Sequence, residues 1–196
     1  MTITRTNIKE VSHTNGGFTL IELLVVISIM GILAYVAIAD YVGEIKKNRV
    51  RISGETVYSE LQDLKVKVAD GNYFNDGTSN VFYCWGLEMT TSSIEIVYSP
   101  YVTDIGCAYD NSLVYGDGHG VLLSSEVNVS LGGAEGDKFF VFFEPPYGDM
   151  NIFKQISTGA YEDLETLDIL LNGANVDSTR VVRLNSLTGS MSLENE

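Results

Sequence analysis

Residues 18–39 read FTLIELLVVISIMGILAYVAIA, and this run constrains the chain more than any other feature. Its 22 residues hold a single charge, Glu22. As a helix they extend about 33 Å at 1.5 Å per residue, close to the thickness of a bilayer's hydrocarbon core. Apolar side chains point in every direction, which is the pattern of a membrane span and not of a helix resting on a core. A cleaved secretory signal has a shorter apolar core and a small-residue cut site after it. Glu22 suits neither a plain anchor nor a signal. On insertion scales a carboxylate at the centre of a bilayer costs on the order of 2.5–3.5 kcal/mol, and less near an end. An ionisable side chain in such a place is a functional hypothesis from the outset.

Residues 1–17 are polar, carry Arg5, Lys9 and His13, and end in Gly16-Gly17. Beyond Ala39 the helical character continues but becomes amphipathic, with Ile45, Ile52, Val57, Leu61, Leu64 and Val68 at helical spacing. No proline occurs between Phe18 and Asp70, so one helix over about 18–70 is expected, roughly 80 Å long if unbroken. Gly31, Gly43 and Gly54 weaken it locally. Asp70-Gly71 supplies its stop, and a polar loop through Asn80 follows.

From residue 81 short β-rich runs alternate with turn signals. The runs are Val81–Leu87, Ser93–Tyr98, Gly120–Leu123, Val127–Leu131, Lys138–Phe143, Leu167–Leu171, Thr179–Leu184 and Gly189–Leu193. The fold class expected is α+β: a long N-terminal helix, half span and half amphipathic, then an antiparallel β-sandwich-like domain. Segments 1–17, 18–39, 40–71 and 72–196 are the expected divisions. Phe139 to Phe143 show no alternation, so that strand is expected to be buried on both faces, or covered on one by the helix.

Charge argues against one class of partner. The net charge is −14, and residues 72–196 carry 4 basic and 18 acidic residues. Nucleic-acid phosphates are repelled by such a domain. Residues 40–71 balance at 6 of each sign. Leader residues Arg5 and Lys9 face a comparable basic cluster past the span, Lys46, Lys47, Arg49 and Arg51, so charge alone does not orient the chain. Cys84 and Cys107, with 22 residues between them, could pair if their domain lies outside the cytoplasm; the alternative is two buried free thiols.

Enzymatic chemistry finds little support. His119 sits in Tyr115-Gly116-Asp117-Gly118-His119-Gly120 with no nucleophile elbow, and reads as a loop histidine. Asp110, Asp117 and the Asp104–Asp117 loop could offer oxygens to calcium, but match no EF-hand. No phosphate loop, zinc spacing or dinucleotide fingerprint is present, so no cofactor, metal or catalytic residue is expected. Trp85 and the tyrosines read as core or edge residues in preference to a sugar-stacking platform.

The stretch Gly17-Phe18-Thr19-Leu20-Ile21-Glu22-Leu23-Leu24-Val25-Val26-Ile27 resembles the processing site of type IV pilins and type II secretion pseudopilins. The resemblance covers residues 16–40. It implies cleavage after Gly17 by a prepilin peptidase and N-methylation of Phe18. It further implies a filament core built from the apolar helices, with Glu22 facing a neighbour's terminal amine and Thr19 and Gly31 as close-contact positions. The expected partners are other pilin or pseudopilin subunits, the peptidase, an inner-membrane assembly platform and the membrane itself. The expected location is single-pass in an inner or plasma membrane, with the C-terminal domain outside the cytoplasm and the processed chain in a filament. The helix-then-β order, and Arg180-Val181-Val182-Arg183-Leu184-Asn185-Ser186-Leu187-Thr188-Gly189 as a closing hairpin, look most like H-type (fimbrial T-like) minor pseudopilins. Ala39 stands where many of that family carry a proline. The expected function is a non-enzymatic filament subunit; the alternative is a binding module, an adhesin or DNA-uptake receptor, on a pilin-type anchor at a filament tip. A local basic spot at Arg180 and Arg183 would be needed for the DNA version.

Overall fold

The structure, a computed structural model, describes residues 18–71, 73–75, 80–102, 106–107, 115–174 and 177–195. The leader 1–17, including Gly17, and the acidic positions Asp104 and Asp110 lie outside the described residues. The chain forms two units, one ending at Tyr41 and one running from Val42 to Glu196.

Helix α1 spans Leu20–Ala69. It stops where the Asp70-Gly71 signal places the stop: the amides of Asp70 and Gly71 bond back to Val66 and Val68 carbonyls, and Gly71 adopts φ +71°. Among the described residues the strands are β1 (Tyr73–Asn75), β2 (Asn80–Met89), β3 (Ile94–Val102), β4 (Gly106–Cys107), β5 (Tyr115–Gly120), β6 (Val127–Ser130), β7 (Lys138–Glu144), β8 (Asp149–Gln155), β9 (Tyr161–Leu164), β10 (Thr166–Gly173), β11 (Thr179–Asn185) and β12 (Ser190–Asn195). One antiparallel sheet has the order β4-β3-β2-β7-β8-β9, with β1 on β2 and β5 on β3. A second runs β12-β11-β10-β6. The two curl into a half-barrel, so the α+β expectation holds. The closing hairpin is β11–β12, its turn fixed by Asn185, whose side-chain oxygen accepts from the Thr188 amide at 2.9 Å.

The second unit's main core lies between α1 and the sheets. Val50, Val57, Leu61, Leu64 and Val68 of α1 are buried in one cluster with Leu87, Val141, Ile169 and Leu184. Strand β7 divides its phenylalanines between two clusters. Phe139 and Phe143 join the main core; Phe140 and Phe142 join Cys84, Val97, Cys107 and Phe153 on the opposite face. This is why the run lacks alternation: both of its faces are inside. Gly86 on β2 lets β7 approach closely, since a Cβ there would lie 2.0 Å from the Val141 carbonyl oxygen. Gly54 does likewise for α1, with Arg180 and Leu193 at 3.1 and 3.3 Å from the position a Cβ would take.

Three expectations are corrected. Gly120–Leu123 is not a strand: pairing ends at Gly120, and Val121 and Leu123 reach the core from irregular chain held by the Val121 amide on the Ile94 carbonyl. The glycine-rich 115–120 segment, which reads as a turn, is instead recruited as β5 by the β3 edge. Ile52, placed by spacing on the stripe with Val57 and Leu61, is 57% exposed.

Candidate functional site: the start of the apolar helix

Among its described residues the first unit gathers polar atoms at the start of α1. Phe18 and Thr19 precede the first helical residue, Leu20. Glu22 turns its carboxylate back over that end. Its Oε2 accepts from the Thr19 amide at 2.9 Å and from the Thr19 hydroxyl at 2.8 Å. The Glu22 amide donates to the Thr19 hydroxyl at 3.3 Å. This is a reciprocal capping box: Thr19 caps the helix, and a carboxylate three residues on satisfies the cap's own amide. It also sets a negative charge at the positive end of the helix dipole. The signal was in the sequence as Thr-x-x-Glu before an apolar run, and reading Thr19 only as a packing position missed it.

The described side chains around this group are apolar and exposed. Phe18, Ile21, Val25 and Val26 line a shallow groove with Glu22. Phe18 is 87% exposed, and large apolar side chains from Leu20 to Val42 are exposed throughout. The hydroxyl of Ser28 is turned inward to the Leu24 carbonyl at 2.8 Å, so it makes no demand on its surroundings. Gly31 has nothing within 4 Å of the position a Cβ would take. By length and composition this helix can cross a membrane.

The other sequence candidates belong to the second unit. Cys84 and Cys107 form a disulfide with Cα atoms 5.7 Å apart, buried beside Phe140 and Phe142. The His119 Nδ1 lies 3.4 Å from Asp117 Oδ1 on β5, with the imidazole 79% exposed, while its amide donates to the same oxygen at 2.7 Å. Among the described residues no three His, Cys, Asp or Glu side chains converge on a point. Trp85 is buried, with the Lys67 ammonium 3.1 Å from its ring centroid and Tyr98 packed at 5.1 Å. Burial pushes the Lys67 amine below its usual pKa, and the nearby Asp117 and Glu60 carboxylates oppose that shift. Arg183 is held between Asp168 and Glu194, at 2.9 and 3.1 Å, so its charge is committed within its own sheet.

Residues 12–38 match a family model described as the prokaryotic N-terminal methylation motif. No curated protein and no solved structure matches the chain. The motif supports a subunit of the type IV pilin and pseudopilin superfamily, processed by prepilin peptidase, assembled with like subunits and anchored by a single apolar helix.

Proposed function

We propose that this chain is a non-enzymatic structural subunit, a minor pseudopilin or pilin, of a type II secretion pseudopilus or type IV pilus. The observation that carries this reading is a lone carboxylate at the start of an exposed apolar helix, inside a prepilin methylation motif. Cleavage after Gly17 would give Phe18 a charged amine. Glu22 would then face a cation of matching chemistry on a neighbouring subunit, and a pair in lipid is far less costly than either ion alone. The helices would pack into a filament core while the β-rich unit lies outside the cytoplasm. A disulfide in that unit fits an oxidising compartment. The H-type assignment rests on the order of elements and the β11–β12 hairpin. The DNA-receptor alternative gains nothing from Arg183, which two carboxylates already hold.

Intact-mass and N-terminal analysis, with and without an active prepilin peptidase, tests the reading. The expected product begins at a methylated Phe18. A chain that keeps its leader beside an active peptidase would remove the proposal.

A further inference from the structure

Strand β6 carries a motif that filament assembly does not use. Its run Asn128-Val129-Ser130 is the chain's one Asn-x-Ser/Thr triplet, with no proline in the middle. Such a triplet accepts N-linked sugars, because the enzymes that attach them hold the asparagine amide together with the hydroxyl two residues on. Glu126 places an acid two residues before the asparagine.

The fold presents this triplet outward. Alternation along the strand sends Val127 and Val129 into the main core and leaves Asn128 and Ser130 exposed. A slip of one residue would have buried both polar groups, so the register is firmly set. Opposite Asn128 stands Asn172 of β10, whose side-chain oxygen accepts from the Thr179 hydroxyl at 2.8 Å. At 3.3 Å per residue the strand keeps Asn128 and Ser130 about 6.6 Å apart, so the triplet must bend out of the sheet to be used. β6 allows this. It ends its sheet, and among the described residues it pairs with β10 alone. Four residues held on one side part from a sheet at far lower cost than the whole unit unfolds.

Two further features bring donor and acceptor together. The Cys84–Cys107 bridge fits an oxidising compartment, the side of a membrane on which N-linked sugars are transferred. The apolar part of α1, long enough to cross a bilayer, would tether the acceptor to the membrane that holds a lipid-linked donor.

We propose that Asn128 is an N-glycosylation site, taking an oligosaccharide from a polyprenyl-diphosphate donor through a membrane oligosaccharyltransferase. A bond forms between Asn128 Nδ2 and the sugar C1 as the C1–O bond to the diphosphate breaks. The diphosphate leaves with the bonding electrons, and the amide proton passes to a carboxylate of the transferase. The attached glycan covers the open edge of the four-stranded sheet with a bulky hydrophilic group, which hinders pairing with a stray strand. The proposal rests on the reading that puts the β-rich unit outside the cytoplasm.

The test expresses the full chain with an active prepilin peptidase, a bacterial oligosaccharyltransferase and its lipid-linked glycan. A secreted protein already known to be glycosylated by that enzyme serves as a control in the same cells. The expected result is a mass gain of one glycan, mapped to Asn128 by peptide sequencing. Asn128→Gln and Ser130→Ala should each abolish it, and Ser130→Thr should keep it. An intact Cys84–Cys107 bridge, seen as a mobility difference on reduction, verifies that each variant is folded. A processed, oxidised chain that stays unmodified beside a glycosylated control overturns this inference and leaves the subunit reading standing. A glycan that persists in Asn128→Gln does the same. An unprocessed chain with reduced cysteines and no glycan overturns both.

Discussion

A carboxylate four residues past Phe18 in an apolar helix would have no water to stabilise it once placed in lipid, so its hydrogen bonds would decide what it costs. The Thr19 amide and hydroxyl both donate to Glu22, so the chain provides two partners before any neighbour arrives. Capping and pairing can be separated by substitution. Glu22→Gln retains a capping side chain and loses the charge. It should be cleaved normally yet enter filaments poorly, as should Glu22→Ala; sedimentation of sheared filaments against processed monomer measures it. Normal incorporation of both variants would sink the pairing role. Thr19→Ala should weaken the helix start by about 1 kcal/mol.

Asp137 is a second residue whose bonds set its chemistry. Buried in the turn before β7, it accepts from Lys154 at 3.0 Å and from the Ala134 and Ser157 amides at 2.8 and 3.2 Å. The Lys154 bond first, then these amides, hold its carboxyl below the usual range. A depressed carboxyl stabilises the fold fully above its unfolded pKa, about 3.9, and loses that contribution as pH falls through the folded value. Asp137→Asn should therefore lower the melting temperature at neutral pH, with the gap to the parent closing as the solution is acidified below about pH 4. A constant gap down to strong acid would contradict this.

Strands show where local sequence informs and where it does not. β7 was legible because a run of four phenylalanines around Val141 can satisfy itself only with both faces inside. β8 is poorly legible as a strand: Asp149, Asn151, Lys154 and Gln155 dilute its apolar signal, and Met150, Ile152 and Phe153 are buried by partners on either side. β5 was illegible for a stronger reason, since Gly-Asp-Gly-His-Gly has no strand preference and only the β3 edge imposes one. Ile52 shows the same limit on a helix, where spacing places a residue on a stripe but does not say whether its own domain covers it. The site fared differently. Phe18 and Glu22 stand out because a processing motif is a local signal, and the bonds joining Thr19 to Glu22 are equally local, announced by Thr-x-x-Glu ahead of an apolar run. At this scale Gly86 gives a sharp test. A methyl group there meets the Val141 carbonyl and Phe142, so Gly86→Ala should force β2 and β7 apart and cost about 1–3 kcal/mol or more, read from urea denaturation of the detergent-solubilised chain. Unchanged stability would mean the two strands are less tightly apposed.

Over the whole molecule, the disulfide ties the short strand β4 to β2 across 23 positions of sequence. In the chain-entropy account such a link contributes about 3 kcal/mol. The double variant Cys84→Ser, Cys107→Ser should melt well below the parent in oxidising buffer, and the two should melt alike once the parent is reduced. A parent indifferent to reductant would show that the bridge adds nothing to stability.

Trp85 is the chain's one tryptophan. It is buried on β2 beneath Lys67 of the last turn of α1. Its ultraviolet emission therefore reports from a single known place, the seam where the helix end meets the large sheet. A lysine ammonium over the indole face and the burial of the ring both act on the emitted wavelength. Loosening of α1 from its sheet would appear as a red shift with no label attached, and Lys67→Met would separate the contribution of the charge from that of the burial.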